Sequence, residues 1–364
     1  MRHFAGNSFL EINAYTLIWV LYFFLGLMVL VFIFILIFSF YKRSVEKKKK
    51  SWQDDVATII SEAIFFEDDA SSVIEINPER RQIFDNKTFR QYFIDEVIHA
   101  KKNLSGAPVL NLVHLYEMLE LDKDSLEKIK NKKWHIKAKG IQELAIMQQE
   151  KYVKQIFRLT NDTHELVRNE AQCALVHFYD FKGLRFLNVI SHPVSQWQQI
   201  QLLNYLHDSQ AVNPVQLKKW LKLSNHSVVT IAVRLASFYN CMEVYEEIIA
   251  CLQNGTAEVK MNALEYLKKI HKDNTADEII KCYACSGKQV KLSILSVLHE
   301  TANEKHITFL MKQLHNPDDT IKLAAAKVLS FIHPLGQDFF RQHLFADEHP
   351  WDAIFSQIDN DRAA

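Results

Sequence analysis

Two of the five cysteines, Cys282 and Cys285, are separated by two residues in the sequence CYAC. Redox-active dithiols use this spacing at the start of a helix that follows a strand, and structural zinc sites use it in two pairs. Here the two cysteines end a helical pattern, no strand pattern precedes them, and the sequence has no second pair. We therefore predict cysteines that fill the core, no metal site, and a reducing compartment.

Histidines and carboxylates are the other residues that could carry out chemistry. His299 is followed by Glu300, but the second histidine of an HExxH zinc motif is missing. The acids of FEDD (67–69) and NPDD (318–319) fall in predicted turns, where capping accounts for them. The sequence has no Gly-rich phosphate loop, nucleophile elbow or paired-carboxylate motif, so we predict no catalytic residue, no cofactor and no enzymatic activity. Five of the sixteen histidines lie near the ends of predicted helices, where an imidazole suits the helix C-terminus: His177, His207, His271, His299 and His333.

Basic residues recur in a pattern that repeats along the chain. Its template is an apolar residue, a basic residue, two residues of any type, a small or apolar residue, three of any type, and leucine. Seven copies begin at positions 136, 167, 198, 229, 259, 290 and 321, in steps of 30 or 31 residues. The copies at Gln198 and Val229 are degraded and lack the basic residue. The other five supply a ladder of one cation per copy: Lys137, Arg168, Lys260, Lys291 and Lys322.

This basic ladder has two interpretations. Its cations are candidates for binding an acidic partner, and they could equally pair with polar turn residues of their own or the next copy. A surface pair of that kind contributes only a few tenths of a kcal/mol.

Each template copy predicts one amphipathic helix, because its apolar residues fall at positions i, i+4 and i+8. A second, more variable helical stretch precedes several copies, as at 150–160, 213–223, 242–252 and 304–314. Polar turns separate the two predicted helices of each unit. Predicted N-caps stand before five copies: Thr163, Ser195, Ser227, Thr256 and Asp318.

This repeat resembles the HEAT-like family of helical repeats, of the short bacterial kind related to phycobilisome-lyase-type repeats. The apolar-basic start of the second helix, its small residue four positions on and the polar turn before it carry the resemblance, over roughly residues 134–340. The resemblance implies an all-α fold, a right-handed α-solenoid of about seven helical hairpins with a long, accessible inner surface. It is specific for fold and weak for function.

A single apolar segment precedes the repeats. No charged residue occurs from Ile12 to Tyr41, and the 22 residues from Leu17 to Phe38 are long enough to cross the roughly 30 Å hydrocarbon core of a bilayer. A cleaved signal peptide is the alternative, but the run is long, Arg2 is the one firm positive charge before it, and no small-residue cleavage site follows. We predict a single transmembrane helix that contacts the lipid bilayer through residues 14–41.

Orientation follows from the charges that flank this span. Positive charge stays on the cytoplasmic side, which places the N-terminus outside and the C-terminal part in the cytoplasm of a bacterial inner membrane. The same cations could touch anionic lipid headgroups. They are Lys42, Arg43, Lys47, Lys48, Lys49 and Lys50.

The remaining charge limits the choice of partner. The chain has 43 basic and 43 acidic residues, of which the first 50 positions hold seven and two. Residues 51–364 therefore carry 36 and 41, a net charge of −5, which argues against nucleic acid. We predict a membrane-anchored scaffold or adaptor for protein partners, themselves membrane-associated, as in a cell-envelope or polysaccharide-synthesis complex. The alternative is a HEAT-like enzyme, similar to DNA glycosylases or lyases, or a nucleic-acid-binding solenoid.

The predicted organisation has six segments. These are a short non-cytoplasmic N-terminus (1–13), the transmembrane helix (14–41), a basic juxtamembrane segment (42–51), an irregular helical cap (52–133), the repeats (134–340) and an acidic C-terminal cap or tail (341–364).

Overall fold

The computed structural model describes residues 14–65, 81–206, 212–332 and 350–363. Every regular element among these residues is helical, and none is a strand. The all-α fold class is therefore confirmed. The chain divides into two compact units, Met1–Ser125 and Leu126–Ala364.

The first unit is a small helical bundle in which three helices pack together around aromatic residues. Phe84 and Phe93 pack edge to face with ring centroids 5.0 Å apart. Arg90 donates through Nε to Asp124 Oδ2 at 2.8 Å and so fixes one end of the bundle. The three helices are α1 (Ala14–Ile64), α2 (Lys87–Lys102) and α3 (Ala107–Met118), with a 3-10 turn at Gln82–Asp85, and the boundary between the two units falls within α4 (Leu121–Ile129).

Helix α1 runs without a break through three segments that the sequence suggested as separate. It contains the apolar span, the basic segment and the first stretch of the predicted cap. The composition changes sharply after Tyr41, but residues 42–51 contain no glycine or proline and several lysines, which are good helix formers. The change of composition after Tyr41 therefore does not end the helix. The six-segment division remains a prediction.

The described residues include one helix that is long and apolar enough to cross a membrane, the part of α1 from Ile18 to Ile64, whose apolar window has a mean hydropathy of 3.1 and is not buried. That criterion uses length and composition alone, and a signal sequence near the N-terminus satisfies it too.

The second unit is a stack of helical hairpins. Each template copy forms the second helix of a hairpin. Successive second helices pack side by side, except that Gln196–Tyr205 makes little contact with His226–Phe238, and the first helices Pro214–Leu221, Tyr245–Asn254 and Thr275–Lys281 pack in the same way. The second helices are α5 (Trp134–Ile146), α7 (Glu165–Tyr179), α8 (Gln196–Tyr205), α10 (His226–Phe238), α12 (Ala257–Lys269), α14 (Lys288–Thr301) and α16 (Asp319–Ile332). The first helices are α6 (Val153–Leu159), α9 (Pro214–Leu221), α11 (Tyr245–Asn254), α13 (Thr275–Lys281) and α15 (Ile307–Leu314), with α17 (Trp351–Ala363) at the end.

The apolar template positions form the core of this stack. Val259, Ala263 and Leu267 of α12 are all buried, and so are the equivalent residues of α7, α14 and α16. One hydrophobic cluster extends from Ile129 to Ile358. Stacking therefore buries an apolar stripe that no hairpin could bury alone, as expected for a solenoid.

Between hairpins, 3-10 segments and left-handed residues replace the glycines that this chain mostly lacks. Single 3-10 turns open three of the first helices, and the longer segment Asp180–Asn188 stands in place of a first helix. Gln148, Asp180 and Asn240, each just after a second helix, have φ near +50°. Gly183 is required for packing, since a Cβ there would lie 2.2 Å from the Leu175 carbonyl oxygen.

Three of the five predicted N-caps are correct. Ser195 and Thr256 accept from Gln198 N and Val259 N at 3.4 Å, and Asp318 accepts from Thr320 N at 3.0 Å. The other two predictions are wrong by one or two residues. His164 and Asn225 precede the helices there, so Thr163 lies before the cap position and Ser227 lies inside the helix.

Several predicted features fall outside the described residues. They are the N-terminal residues 1–13, residues 66–80 of the predicted cap with the acids of FEDD, His207 and His333, the end of the repeat region from 333, and the first part of the tail, 341–349.

Candidate functional site

A groove of about 750 Å³ crosses the surface formed by three consecutive second helices, α8, α10 and α12. We call it the second-helix groove. Its apolar residues are Ile200, Leu203, Phe238 and Met261. Its polar residues are Gln196, Arg234, Ser237, Glu258, Asn262, Glu265 and Lys269.

The apolar part of this groove is accessible to a partner. Ile200 is 46% exposed and Phe238 41%, and Trp197, one turn before Ile200 on α8, is 66% exposed. Large apolar side chains scattered singly on a surface need no explanation, but several around one concavity mark a binding surface.

Hydrogen bonds fix the polar part of the groove. Arg234 Nε donates to Asn262 Oδ1 at 2.8 Å, and Asn262 Nδ2 donates to the Glu258 carbonyl oxygen, also at 2.8 Å. These two hydrogen bonds join α10 to α12 and hold the Arg234 guanidinium along the wall of the groove. Glu265 and Lys269 are exposed at the edge and have no ion-pair partner among the described residues.

The template did not predict this groove, because its apolar residues lie outside the template's core stripe. A signal was nevertheless present two residues after the template start, where six of the seven copies have an apolar residue, of which only Ala138 and Ile231 are buried. Met261 and its equivalents Leu292 and Leu323 are only half-buried, and Ile200 is exposed. The apolar arc of these helices is therefore wider than the core requires.

The basic ladder is mostly engaged in contacts within the chain. Lys137 Nζ lies 2.7 Å from Asp162 Oδ2, and Lys322 Nζ lies 2.7 Å from Asp319 Oδ1. Arg168 donates to the carbonyl oxygens of Asp162 and Thr163 at 2.8 and 3.0 Å. Lys291 lies over the Tyr283 ring, 5.3 Å from its centroid. These contacts agree with the interpretation in which the ladder cations pair with groups of the same chain. That the ladder binds an acidic partner stays a prediction.

The cysteines do not form a reactive group. Cys173, Cys241, Cys251 and Cys282 are buried, and the expectation that Cys285 also fills the core is wrong, since it is exposed. Burial, with a nearby carboxylate, raises the pKa of Cys173 to about 12 and that of Cys251 to about 11. Little thiolate is therefore present at neutral pH at either position.

The histidines of the helix ends do not converge. His177 and His299 lie in the last turns of α7 and α14, and His271 follows the end of α12. His299 stacks on Phe331, with centroids 4.6 Å apart. The described residues contain no group of three or more potential metal-ligating side chains.

No protein-family model matches the chain, and no curated protein matches it either. Among solved structures, human deoxyhypusine hydroxylase in complex with glycerol is similar, with 14% identity, a TM-score of 0.30, and coverage of 78% of this chain and 97% of that one. The complex of CpcE and CpcF of phycocyanin lyase from Nostoc is also similar, with 11% identity, a TM-score of 0.23, and coverage of 81% and 98%. At TM-scores this low the two structures do not define the architecture of the chain, which rests on its own stacked helical hairpins and their shared core.

These neighbours correct one expectation. A hydroxylase and a lyase are enzymes, and the prediction that the chain is not an enzyme is therefore withdrawn. At these TM-scores and identities, the similarity assigns no activity to this chain.

Proposed function

We propose that this chain is a membrane-anchored scaffold whose repeat unit binds a protein partner in the second-helix groove. The observation that carries the proposal is the groove itself, in which exposed Ile200 and Phe238 and half-buried Met261 lie beside a fixed polar wall. Helical-repeat solenoids bind partners on extended surfaces of this kind.

The groove favours an amphipathic protein segment as its occupant. Apolar side chains of the partner would cover Ile200, Phe238 and Met261, and a basic side chain would meet Glu265 at the edge. Amphipathic helices bind apolar grooves in this way, with anchors three or four residues apart. The net charge of −5 over residues 51–364 opposes nucleic acid as the occupant.

The anchor is the apolar part of α1. Exposed apolar side chains cover it from Ile18 to Tyr41, and the cations that follow favour a cytoplasmic repeat unit. Arg43, Lys47, Lys48 and Lys50 are available for contacts with lipid phosphates, since each has no partner among the described residues. Confinement to the bilayer raises the effective concentration of a partner in the same membrane, so a modest affinity is sufficient. A cell-envelope or polysaccharide-synthesis complex is the client we propose.

Capture from native membranes tests the proposal. Tagged wild-type chain should capture a partner, and the Met261→Glu variant should capture at least tenfold less of it. A carboxylate at position 261 would have to be desolvated against the apolar groups of the partner. Val215→Glu is the matched control, since Val215 is an exposed apolar residue on a first helix and lies outside the groove. Equal losses in both variants, or none in either, would refute the groove as the binding site.

A further inference from the structure

A second cavity, of about 540 Å³, lies between the 3-10 segment Asp180–Asn188 and the start of α9. Two cations, Lys182 and Arg185, line it. None of its lining residues belongs to the second-helix groove, so the two sites are separate. Its accessible apolar lining residues are Tyr179, Val212 and Pro214.

The 3-10 geometry places the two cations in one row. A 3-10 helix has three residues per turn, so side chains three positions apart eclipse each other, about 6 Å apart along the axis. The row that contains Lys182 and Arg185 ends at Asn188, and both of its cations are exposed. The other two rows face the core through Phe181, Gly183, Leu184, Phe186 and Leu187, which are all buried.

The backbone that carries this row is fixed on two sides. Asn188 Oδ1 accepts from Gln216 Nε2 at 2.9 Å and from Trp220 Nε1 at 3.1 Å, which joins the segment to α9. On the other side, Gly183 packs so closely on the Leu175 carbonyl group of α7 that a Cβ would not fit. A ligand of the two cations would therefore not have to order the backbone that presents them, which lowers the cost of binding.

The chain itself supplies no counter-charge to these cations. The side chains of Lys182 and Arg185 have neither an ion-pair nor a hydrogen-bond partner among the residues that the structure describes. Asp180 also lines the cavity but pairs with neither of them, so two cations against one acid leave a net charge of +1 on the described lining. Asn213 adds a neutral donor, since its Oδ1 accepts from Gln216 N at 3.2 Å and its Nδ2 donates to no described residue.

We propose that this cavity binds a small organic oxyanion, with the anionic group at Lys182 and Arg185 and the apolar body against Tyr179 and Pro214. The planar fork of an arginine matches a phosphate or a carboxylate, and the lysine adds a second positive charge. The volume of the cavity is within the range of ligand pockets. The ligand would provide the counter-charge that the chain does not.

Saturation-transfer NMR on the full chain in an uncharged detergent tests this site. The probes are phenyl phosphate and phenylacetate, with benzyl alcohol as an uncharged control that has a similar aromatic body. We expect saturable binding of at least one anion and about tenfold weaker binding of benzyl alcohol, because the alcohol makes no charge-assisted hydrogen bond through an anionic group. Tighter binding of phenyl phosphate would identify phosphate as the preferred group, and tighter binding of phenylacetate would identify carboxylate.

Three variants make the test decisive. Lys182→Gln and Arg185→Gln should each weaken binding of the preferred anion about tenfold, because each removes a charged donor. The matched control is Lys219→Gln, which removes an exposed cation of α9 outside the cavity and should leave binding unchanged.

Four results would overturn the assignment. They are the absence of anion binding by the wild type, binding that persists in both cavity variants, an equal loss in Lys219→Gln, and binding of benzyl alcohol as tight as that of the anions. None of them bears on the second-helix groove, which shares no residue with this cavity.

Discussion

Lys137 and Asp162 form an ion pair across the junction between the first two hairpins, with Nζ 2.7 Å from Oδ2. Their side chains are 20% and 10% exposed, so the pair is largely shielded from water. Asp162 also accepts from the His164 backbone N–H at 2.9 Å, which orders the turn before α7. One carboxylate thus fixes both a turn and the contact between two repeats.

Replacement of Asp162 by asparagine should destabilise the chain by about 1.5–3 kcal/mol, the usual contribution of a hydrogen bond to a charged group. The matched control is Asp319→Asn, which removes an i,i+3 pair with Lys322 whose carboxylate is 56% exposed and should cost less than about 0.5 kcal/mol. Chemical denaturation in detergent followed by circular dichroism measures both. Equal losses of unfolding free energy in the two variants would show that the Lys137–Asp162 pair stabilises the chain no more than an exposed ion pair does.

The same carboxylate makes stability depend on pH. Burial acts to raise the pKa of Asp162, but the hydrogen bond and charge of Lys137 and the His164 N–H outweigh it, and the pKa is lowered from 3.8. Its contribution is therefore complete above the unfolded value near 4 and is lost as the pH falls through the lower folded value. We expect wild type to lose stability below pH 4 more steeply than Asp162→Asn; parallel curves would contradict this.

Two buried tyrosines provide a matched pair for the contacts between repeats. Tyr245 OH lies 2.7 Å from Thr275 Oγ1 in the next hairpin, whereas Tyr283 OH is buried with no hydrogen-bond partner among the described residues. Tyr245→Phe should cost about 1 kcal/mol, and Tyr283→Phe should be neutral or stabilising. Denaturation midpoints of the two variants test this, and the opposite order would show that the hydrogen bond does not stabilise the stack.

The exposed thiol of Cys285 reports the topology of the anchor. The other four cysteines are buried, so a membrane-impermeant maleimide should modify chiefly Cys285 once it has access. In intact spheroplasts we expect no labelling of wild type, strong labelling of the variant Ser8→Cys, and labelling of Cys285 after lysis. Labelling of Cys285 in intact spheroplasts would place the repeats outside.

The basic segment should recruit anionic lipid. Each lysine near an anionic surface contributes about 1 kcal/mol, so the triple change of Lys47, Lys48 and Lys50 to glutamine should reduce several-fold the anionic lipid that copurifies with the chain. Lipid mass spectrometry measures the ratio of anionic to zwitterionic lipid. Equivalent changes at Lys132, Lys133 and Lys305, which are exposed elsewhere, should leave it unchanged.

The sequence predicted the second helices well because each one must bury the same stripe in the same neighbour. Val167, Val259 and Val290 start three copies and are all buried. Even the degraded copy at Gln198 forms a helix, α8, in which Gln198 is buried and hydrogen-bonded to Gln172 of the preceding second helix. Ser195 accepts from Gln198 N, but the Gln198 side chain does not return to Ser195 as in a capping box, because it binds Gln172.

The features that the sequence did not reveal depend on neighbours rather than on periodicity. Polar turns contain several competing caps, and Asp162 and Asn225 bind backbone N–H groups close to the predicted Thr163 and Ser227. The continuity of α1 depends on the helix-forming residues 42–51, which connect the apolar span to the first stretch of the predicted cap. The groove arises only when Ile200, Phe238 and Met261, from three separate repeats, meet on one surface.

Site-specific photocrosslinking in native membranes tests the central claim most directly. A photoreactive amino acid would replace Phe238 or Met261 in the groove, or Val215 and Met242 as exposed apolar controls outside it. We predict one discrete protein adduct from both groove positions, the same by mass spectrometry, and none from the two controls. Absence of an adduct at Phe238 and Met261, or adducts of equal yield at all four positions, would contradict a scaffold that binds its partner in the second-helix groove.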